Sequence, residues 1–135
     1  MNSTQTRSIA IAAPPEAVVE LLADGTRLPD WAPQFASEVR AEGDHWVIDS
    51  GGQPFRIRIK ASADSGTVDF VSADDERVGA FSRVIPNAEG SEFLFSLLFV
   101  PGTDQAMIDA QMAVVEGELE AVRALAERSA TSTSS

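Results

Sequence analysis

The end of the chain carries the feature that most constrains its fold. Apolar residues recur there at steps of three and four: Ile108, Met112, Val115, Leu119, Val122 and Ala126. Such steps keep side chains on one face of an α-helix, so residues 104 to 127 are predicted to form one amphipathic helix. A stripe of this length has to be covered by another apolar surface, which predicts a sheet lying against the helix.

The middle of the chain supplies that sheet. From residue 37 to residue 99, apolar and polar residues alternate in short stretches, separated by turn-forming residues such as Gly51 and Gly52. Alternation with a period of two is typical of strands that bury one face. With the apolar run from Ile9 to Ile11 near the start, the pattern predicts six or seven antiparallel strands.

Two short helices are predicted between the first strand and the others. Pro14 and Pro15 fit a first helical turn, where the missing N–H would have no partner, and Glu16 favours the positive end of the helix dipole. The prolines around Trp31 allow only a turn or a short helix there. We therefore expect an α+β fold with two small helices after strand 1.

Composition excludes several classes of function. The chain has 135 residues, the size of one domain, and a formal net charge of −11 with no basic cluster. Neither nucleic-acid binding nor membrane insertion is therefore expected. The sequence contains no cysteine, no tyrosine and one histidine. Thiolate chemistry is excluded, proton-transfer groups are few, and no metal or other cofactor is expected.

The chain ends carry two further expectations. Residues 1 to 128 are predicted to form one domain, and the Ser- and Thr-rich residues 129 to 135 a disordered tail. The first residues lack the basic and then apolar layout of a secretory signal, and no apolar run has the length of a membrane span. A cytoplasmic protein is expected.

Several segments together resemble a known family: residues 9 to 18, 28 to 32, 82 to 87 and 90 to 93, and the terminal helix. They are similar to the START-like superfamily, also called SRPBCC or Bet v 1-like, and more narrowly to its bacterial polyketide cyclase/dehydrase branch. The resemblance implies a helix-grip fold, in which a curved antiparallel sheet surrounds a long C-terminal helix and leaves a cavity between them. Members bind lipids, sterols, polyketides and other hydrophobic ligands, and some catalyse cyclisation or dehydration.

In such a fold the inward-facing residues surround the cavity. The residues predicted to bind a ligand are Trp31, Phe35, Phe55, Phe70, Phe81, Arg83, Phe93, Phe95, Leu97, Ile108, Gln111 and Met112. Several of these residues could equally form plain core. Leu94 and Leu98 occupy the opposite face of the last strand, which indicates either a homodimer surface or an inner face if the strand is turned the other way.

Three polar residues are candidates for chemistry. Arg83 shares strand parity with Phe81 and Ile85, so it is predicted to point inward, to anchor a ligand oxygen and to pair with Glu118 in the empty protein. The alternative is an arginine paired with a neighbouring carboxylate.

His45 and Asp30 are the candidates for proton transfer. The alternatives are a surface histidine and a turn or cap residue, respectively.

Three functions remain open from the sequence. The leading hypothesis is non-catalytic binding of a small hydrophobic molecule, because apolar faces are plentiful and proton-transfer groups are few. The second is a cyclase or dehydratase that acts on a polyketide-like β-carbonyl substrate without a metal or redox cofactor. The third is a dimeric interaction protein with a vestigial pocket. The enzymes of the resembled family often use tyrosine and histidine in the cavity, and the lack of tyrosine favours the non-catalytic hypothesis.

Overall fold

A computed structural model describes residues 1–133. In chain order the elements are β1 (Ser3–Ile11), α1 (Pro15–Ala23), a 3-10 turn (Gly25–Arg27), α2 (Leu28–Trp31), β2 (Glu38–Glu42), β3 (His45–Asp49), β4 (Phe55–Ser62), β5 (Thr67–Ser72), β6 (Gly79–Asn87), β7 (Gly90–Phe99) and α3 (Gln105–Thr133). None of the described helices is long and apolar enough to cross a membrane.

The strands form one antiparallel sheet of seven strands in the order β1-β7-β6-β5-β4-β3-β2. Strands β2 to β7 run as a meander, whereas β1 pairs with the last strand, with Ile9 opposite Phe93. The sheet is curved, and α3 lies against its inner face with α1 and α2. This confirms the predicted helix-grip fold, including the two short helices after the first strand.

The hydrophobic core joins the apolar stripe of α3 to the inner face of the sheet. The stripe predicted from the sequence is buried at every position from Ile108 to Ala126. The same core contains inward-pointing residues of β5 to β7, among them Val68, Val84 and Phe93. Since apolar burial is the main favourable term in folding, this contact is what holds α3 across the sheet.

The orientation predicted for β6 is wrong. Ser82 and Val84 are buried, and Arg83 is exposed on the outer face of the sheet. The buried inward positions Ser82 and Val84 pair with the bulky residues Phe95 and Phe93 of β7, so only small side chains fit there. The Ser82 hydroxyl is satisfied by donating to the Val68 carbonyl.

Two consequences follow from this orientation. Phe81 lies on the outer face with Arg83, half-buried by its neighbours. Arg83 and Glu118 are separated by the sheet, so the predicted pair between them does not form.

The last helix is longer than predicted. It continues to Thr133, so residues 129 to 133, predicted as part of a disordered tail, are helical. No glycine or proline follows Gly117 to end the helix. Residues 134 and 135 of the predicted tail lie outside the described residues.

The turn between β4 and β5 depends on Gly66. Its φ of +71° lies in the left-handed region, and a Cβ at this position would stand 2.1 Å from the carbonyl oxygen of Val84. This close approach allows the Val84 amide to donate to the Gly66 carbonyl, with an N···O distance of 2.7 Å. Only glycine meets both requirements.

We therefore expect Gly66→Ala to destabilise the fold by about 2 to 4 kcal/mol, from backbone strain and the clash together. Gly43→Ala is the matched control, because Gly43 has a φ of +64° but open space around it. The control should cost about 1 kcal/mol, from strain alone. Urea denaturation followed by tryptophan fluorescence measures the free energy of unfolding of both variants. Equal losses of stability would contradict the role of the close approach between Gly66 and Val84.

Candidate functional site

A cavity of about 640 Å³ lies between the inner face of the sheet, α2 and α3. Its lining consists of Asn2, Leu28, Trp31, Ala32, Phe35, Phe55, Ile57, Phe70, Ser72, Arg77, Val78, Gly79, Ala80, Phe95, Leu97, Leu98, Phe99, Val100, Gln111 and Glu118. The residues at one end, such as Val78 and Val100, are exposed, whereas Leu28 and Trp31 at the other end are buried. The cavity therefore has a mouth and a closed interior.

Aromatic contacts hold the walls of the cavity in two groups. In the buried part, the Trp31 ring meets Phe70 edge to face at a centroid distance of 5.6 Å, and Phe70 lies 6.4 Å from Phe95. Nearer the mouth, Phe35 and Phe55 form a second edge-to-face pair at 5.4 Å. Such pairs restrict one another's rotation, which favours a pocket formed before any ligand enters.

Glu118 brings a carboxyl group into this apolar lining. It lies on α3 between Val115 and Val122, and only 9% of its surface is exposed. Among residues 1–130, whose side chains the structure describes, its carboxyl has no hydrogen bond or ion pair. Burial raises the pKa of Glu118 to about 7, because the charged form loses its hydration.

The other polar lining residues lie in less enclosed positions. Asn2 and Gln111 are exposed, and Ser72 is half-buried. Arg77 is the one cationic residue in the lining described above, and its guanidinium pairs with Asp75 at 3.0 Å while remaining largely exposed. Glu118 is therefore the charged group placed inside the cavity, and no cation offsets it there.

The indole N–H of Trp31 is buried without a hydrogen-bond partner in the described part of the chain. An unpaired buried donor carries a cost in stability and marks a place where the structure is not optimised for packing alone.

The cavity lining contains seven of the predicted ligand-binding residues: Trp31, Phe35, Phe55, Phe70, Phe95, Leu97 and Gln111. Three others pack into the core instead, since Phe93, Ile108 and Met112 are buried against neighbouring side chains. Phe81 and Arg83 lie on the outer face, because β6 turns Ser82 and Val84 inward. The lining is thus built mainly by β4 to β7, α2 and α3.

The three residues predicted as candidates for chemistry lie away from the cavity. The Asp30 carboxylate accepts a hydrogen bond from Arg27 at 2.7 Å on the surface. His45 lies 3.1 Å from Asp44 and 3.6 Å from Glu42. Arg83 is on the outer face, so none of the three lines the cavity.

Sequence reasoning missed Glu118 as a cavity residue. It singled the residue out only as a partner for Arg83. The available signal was its place on the helix, three residues after Val115 and four before Val122, which puts a carboxyl beside the apolar stripe.

The sequence from residue 4 to residue 127 matches the family described as polyketide cyclase / dehydrase and lipid transport. The chain belongs to this family. No curated protein matches the sequence.

Solved structures show the same fold at low sequence identity. The Zhui aromatase/cyclase from Streptomyces sp. R1128 superimposes with a TM-score of 0.72 at 19% identity, covering 95% of each chain. The protein XoxI from Bacillus cereus gives 0.70 at 17% identity, covering 91% of this chain and 94% of its own. The Aha1 dimer from Colwellia psychrerythraea has a TM-score of 0.66 at 14% identity, covering 90% of this chain and 96% of its own.

The buried carboxyl makes stability depend on pH in a defined direction. The pKa of Glu118 is about 7 in the folded protein and 4.5 for an ordinary glutamate, so the unfolded chain releases this proton more readily. The contribution of Glu118 to stability is therefore greatest below pH 4.5 and falls as the pH rises towards 8. We expect Glu118→Gln to remove this loss and to be more stable than the parent at pH 8, by up to about 3 kcal/mol.

Urea denaturation at several pH values between 5 and 8 measures the effect. Glu20→Gln is the control, because it removes the same charge at an exposed position on α1. Parallel pH profiles for both variants would contradict the assignment to Glu118.

Proposed function

We propose that the protein binds a small hydrophobic molecule in the cavity between the sheet and α3. The observation that carries this proposal is the cavity itself: about 640 Å³, lined mostly by apolar and aromatic side chains, with one buried carboxyl. Ligand pockets of roughly 300 to 1,000 Å³ with few polar groups are the usual form of small-molecule sites. Membership of a family named for cyclases, dehydrases and lipid transport supports the same conclusion.

The arrangement of small residues also supports binding. Ala80 of β6 lies opposite Phe70 of β5 and Leu97 of β7, and all three line the cavity. A larger apolar residue at position 80 would fill part of the space and bury more surface. The small side chain leaves room for a ligand at a position where packing alone favours a larger one.

We expect Ala80→Phe to weaken binding of the neutral probe N-phenyl-1-naphthylamine about tenfold or more, because the ring occupies the cavity. Probe fluorescence measures the affinity, and circular dichroism checks the fold. Ala113→Phe, on the exposed face of α3, is the matched control.

The smaller change Ala80→Leu provides a second variant should the phenylalanine disrupt folding. Unchanged probe affinity in folded Ala80 variants would contradict binding in this cavity.

A second candidate function is a dehydratase or cyclase acting on a β-carbonyl substrate. The observation that favours it is a carboxyl with a pKa of about 7 inside the cavity. Loss of water needs a base for the proton beside the carbonyl and an acid for the departing hydroxyl, and a group that is half ionised near neutral pH can serve in both steps.

This second function predicts that the protein converts a β-hydroxy thioester into its conjugated product, which absorbs in the near ultraviolet. Glu118→Gln should abolish the turnover while leaving the binding of N-phenyl-1-naphthylamine intact. Binding of the thioester without any turnover by the parent protein would leave the non-catalytic function as the better account.

A further inference from the structure

We propose that the ligand of this cavity is an uncharged hydrophobic molecule with a hydroxyl group that hydrogen-bonds to Glu118, and that fatty acids and other hydrophobic carboxylates are excluded. This inference rests on the proposed function, since it concerns the occupant of the same cavity. It goes beyond that function because it assigns the chemical class of the ligand and the residue that selects it.

Among the described residues, Glu118 has no hydrogen-bond donor beside it in the cavity. Only 9% of the Glu118 residue is exposed, it lines the cavity, and among residues 1–130, whose side chains the structure describes, no donor reaches its carboxyl. A buried polar group without a partner costs free energy that a matching ligand group recovers. At Glu118 the empty cavity is therefore complementary to a hydrogen-bond donor.

The other charged side chains around the cavity are paired with one another or lie at the surface. Arg77 at the mouth is held by Asp75. Arg7 of β1, the strand packed against α3, pairs with Glu116 at 3.2 Å, and Arg27 beside α2 pairs with Asp30. On α1 the charged residues are Glu16 and Glu20, both exposed. Each of these nearby cations is thus already paired with a carboxylate at the surface.

A carboxylate ligand would therefore enter a cavity whose inner charged group has its own sign. Two like charges in an apolar site repel strongly, so either the ligand or Glu118 would have to take up a proton. The net charge of −11 adds long-range repulsion in the same direction.

A hydroxyl group fits both protonation states of Glu118. It donates to the carboxylate, and it accepts from the neutral carboxyl. An ammonium group fits only the ionised form, and it would lose its hydration in a cavity lined mostly by apolar side chains. The geometry thus favours an alcohol over an amine.

Competition against bound N-phenyl-1-naphthylamine tests the inference at pH 8 and below the micelle concentration of each competitor. The competitors are decanol, decylammonium, decanoate and 1-methoxydecane, which share one alkyl chain and differ in the head group. We expect decanol to displace the probe about tenfold better than 1-methoxydecane, which cannot donate, and better still than decanoate.

Two substitutions at position 118 separate charge from hydrogen bonding. Glu118→Gln removes the charge, and its amide both donates and accepts, so it should narrow the preference for decanol over the ether and bind decanoate about tenfold more tightly than the parent. Glu118→Leu should lose the preference for decanol. Glu20→Gln, at an exposed position on α1 outside the lining, should behave as the parent.

The outcomes distinguish the two levels of the proposal. Equal displacement by decanol and decanoate, unchanged in Glu118→Gln, would overturn the assignment of Glu118 while leaving hydrophobic binding intact. Displacement by decylammonium alone would replace the alcohol with an amine. Absence of probe binding in the parent, with no displacement by any competitor, would overturn the proposed function itself.

Discussion

The pairing of β1 with β7 is the contact on which the rest of the structure depends. It joins the first strand of the chain to the last one, from Ser3 opposite Phe99 to Ile11 opposite Ser91. The same region holds α3, because Arg7 pairs with Glu116 and the Ala12 amide donates to Glu127 at 2.8 Å. The buried Ser91 hydroxyl also donates to the Ala13 carbonyl at 2.7 Å, which fixes the chain where it leaves β1 for α1. The first strand thus positions both helical layers over the sheet.

The cavity is a consequence of this anchoring. Because α3 packs mainly against β1, α1 and α2, it leaves space over part of the curved inner face of the sheet. The aromatic side chains of β5 and β7 line that space together with Trp31 of α2. A sheet that was flat, or a helix centred over β5, would close the space with side chains and leave a core without a binding site.

The fold could be predicted from sequence because its signals are long and periodic. The α3 stripe and the alternation within the strands each repeat several times, so single exceptions do not hide them. The orientation of β6 could not be predicted in the same way, since apolar residues occupy both of its faces. Its inward face is set by volume: the buried positions Ser82 and Val84 are small because they lie opposite Phe95 and Phe93. The sequence of one strand does not contain that information.

The role of Glu118 was hidden for a related reason. Its position beside the stripe is visible in the sequence, but its burial depends on which part of the sheet α3 covers. The aromatic residues of the lining were easier to predict, because large apolar side chains on strands face inward in most sheets. Phe81 and Arg83 were predicted on the wrong face because the neighbouring strands decide which face of β6 turns inward.

The two outer strands of the sheet limit how copies of this protein can associate. Over the described part of the chain, β1 and β2 each pair with another strand on one side only, which leaves each with an edge that no strand covers. β2 is five residues long and alternates charges at Glu38, Arg40 and Glu42. β1 is longer, but its first residues are hydroxyl and amide side chains rather than apolar ones. Short, charged or polar edges resist strand-to-strand addition, so a chain that exposes an open sheet remains protected against growing into an aggregate through it.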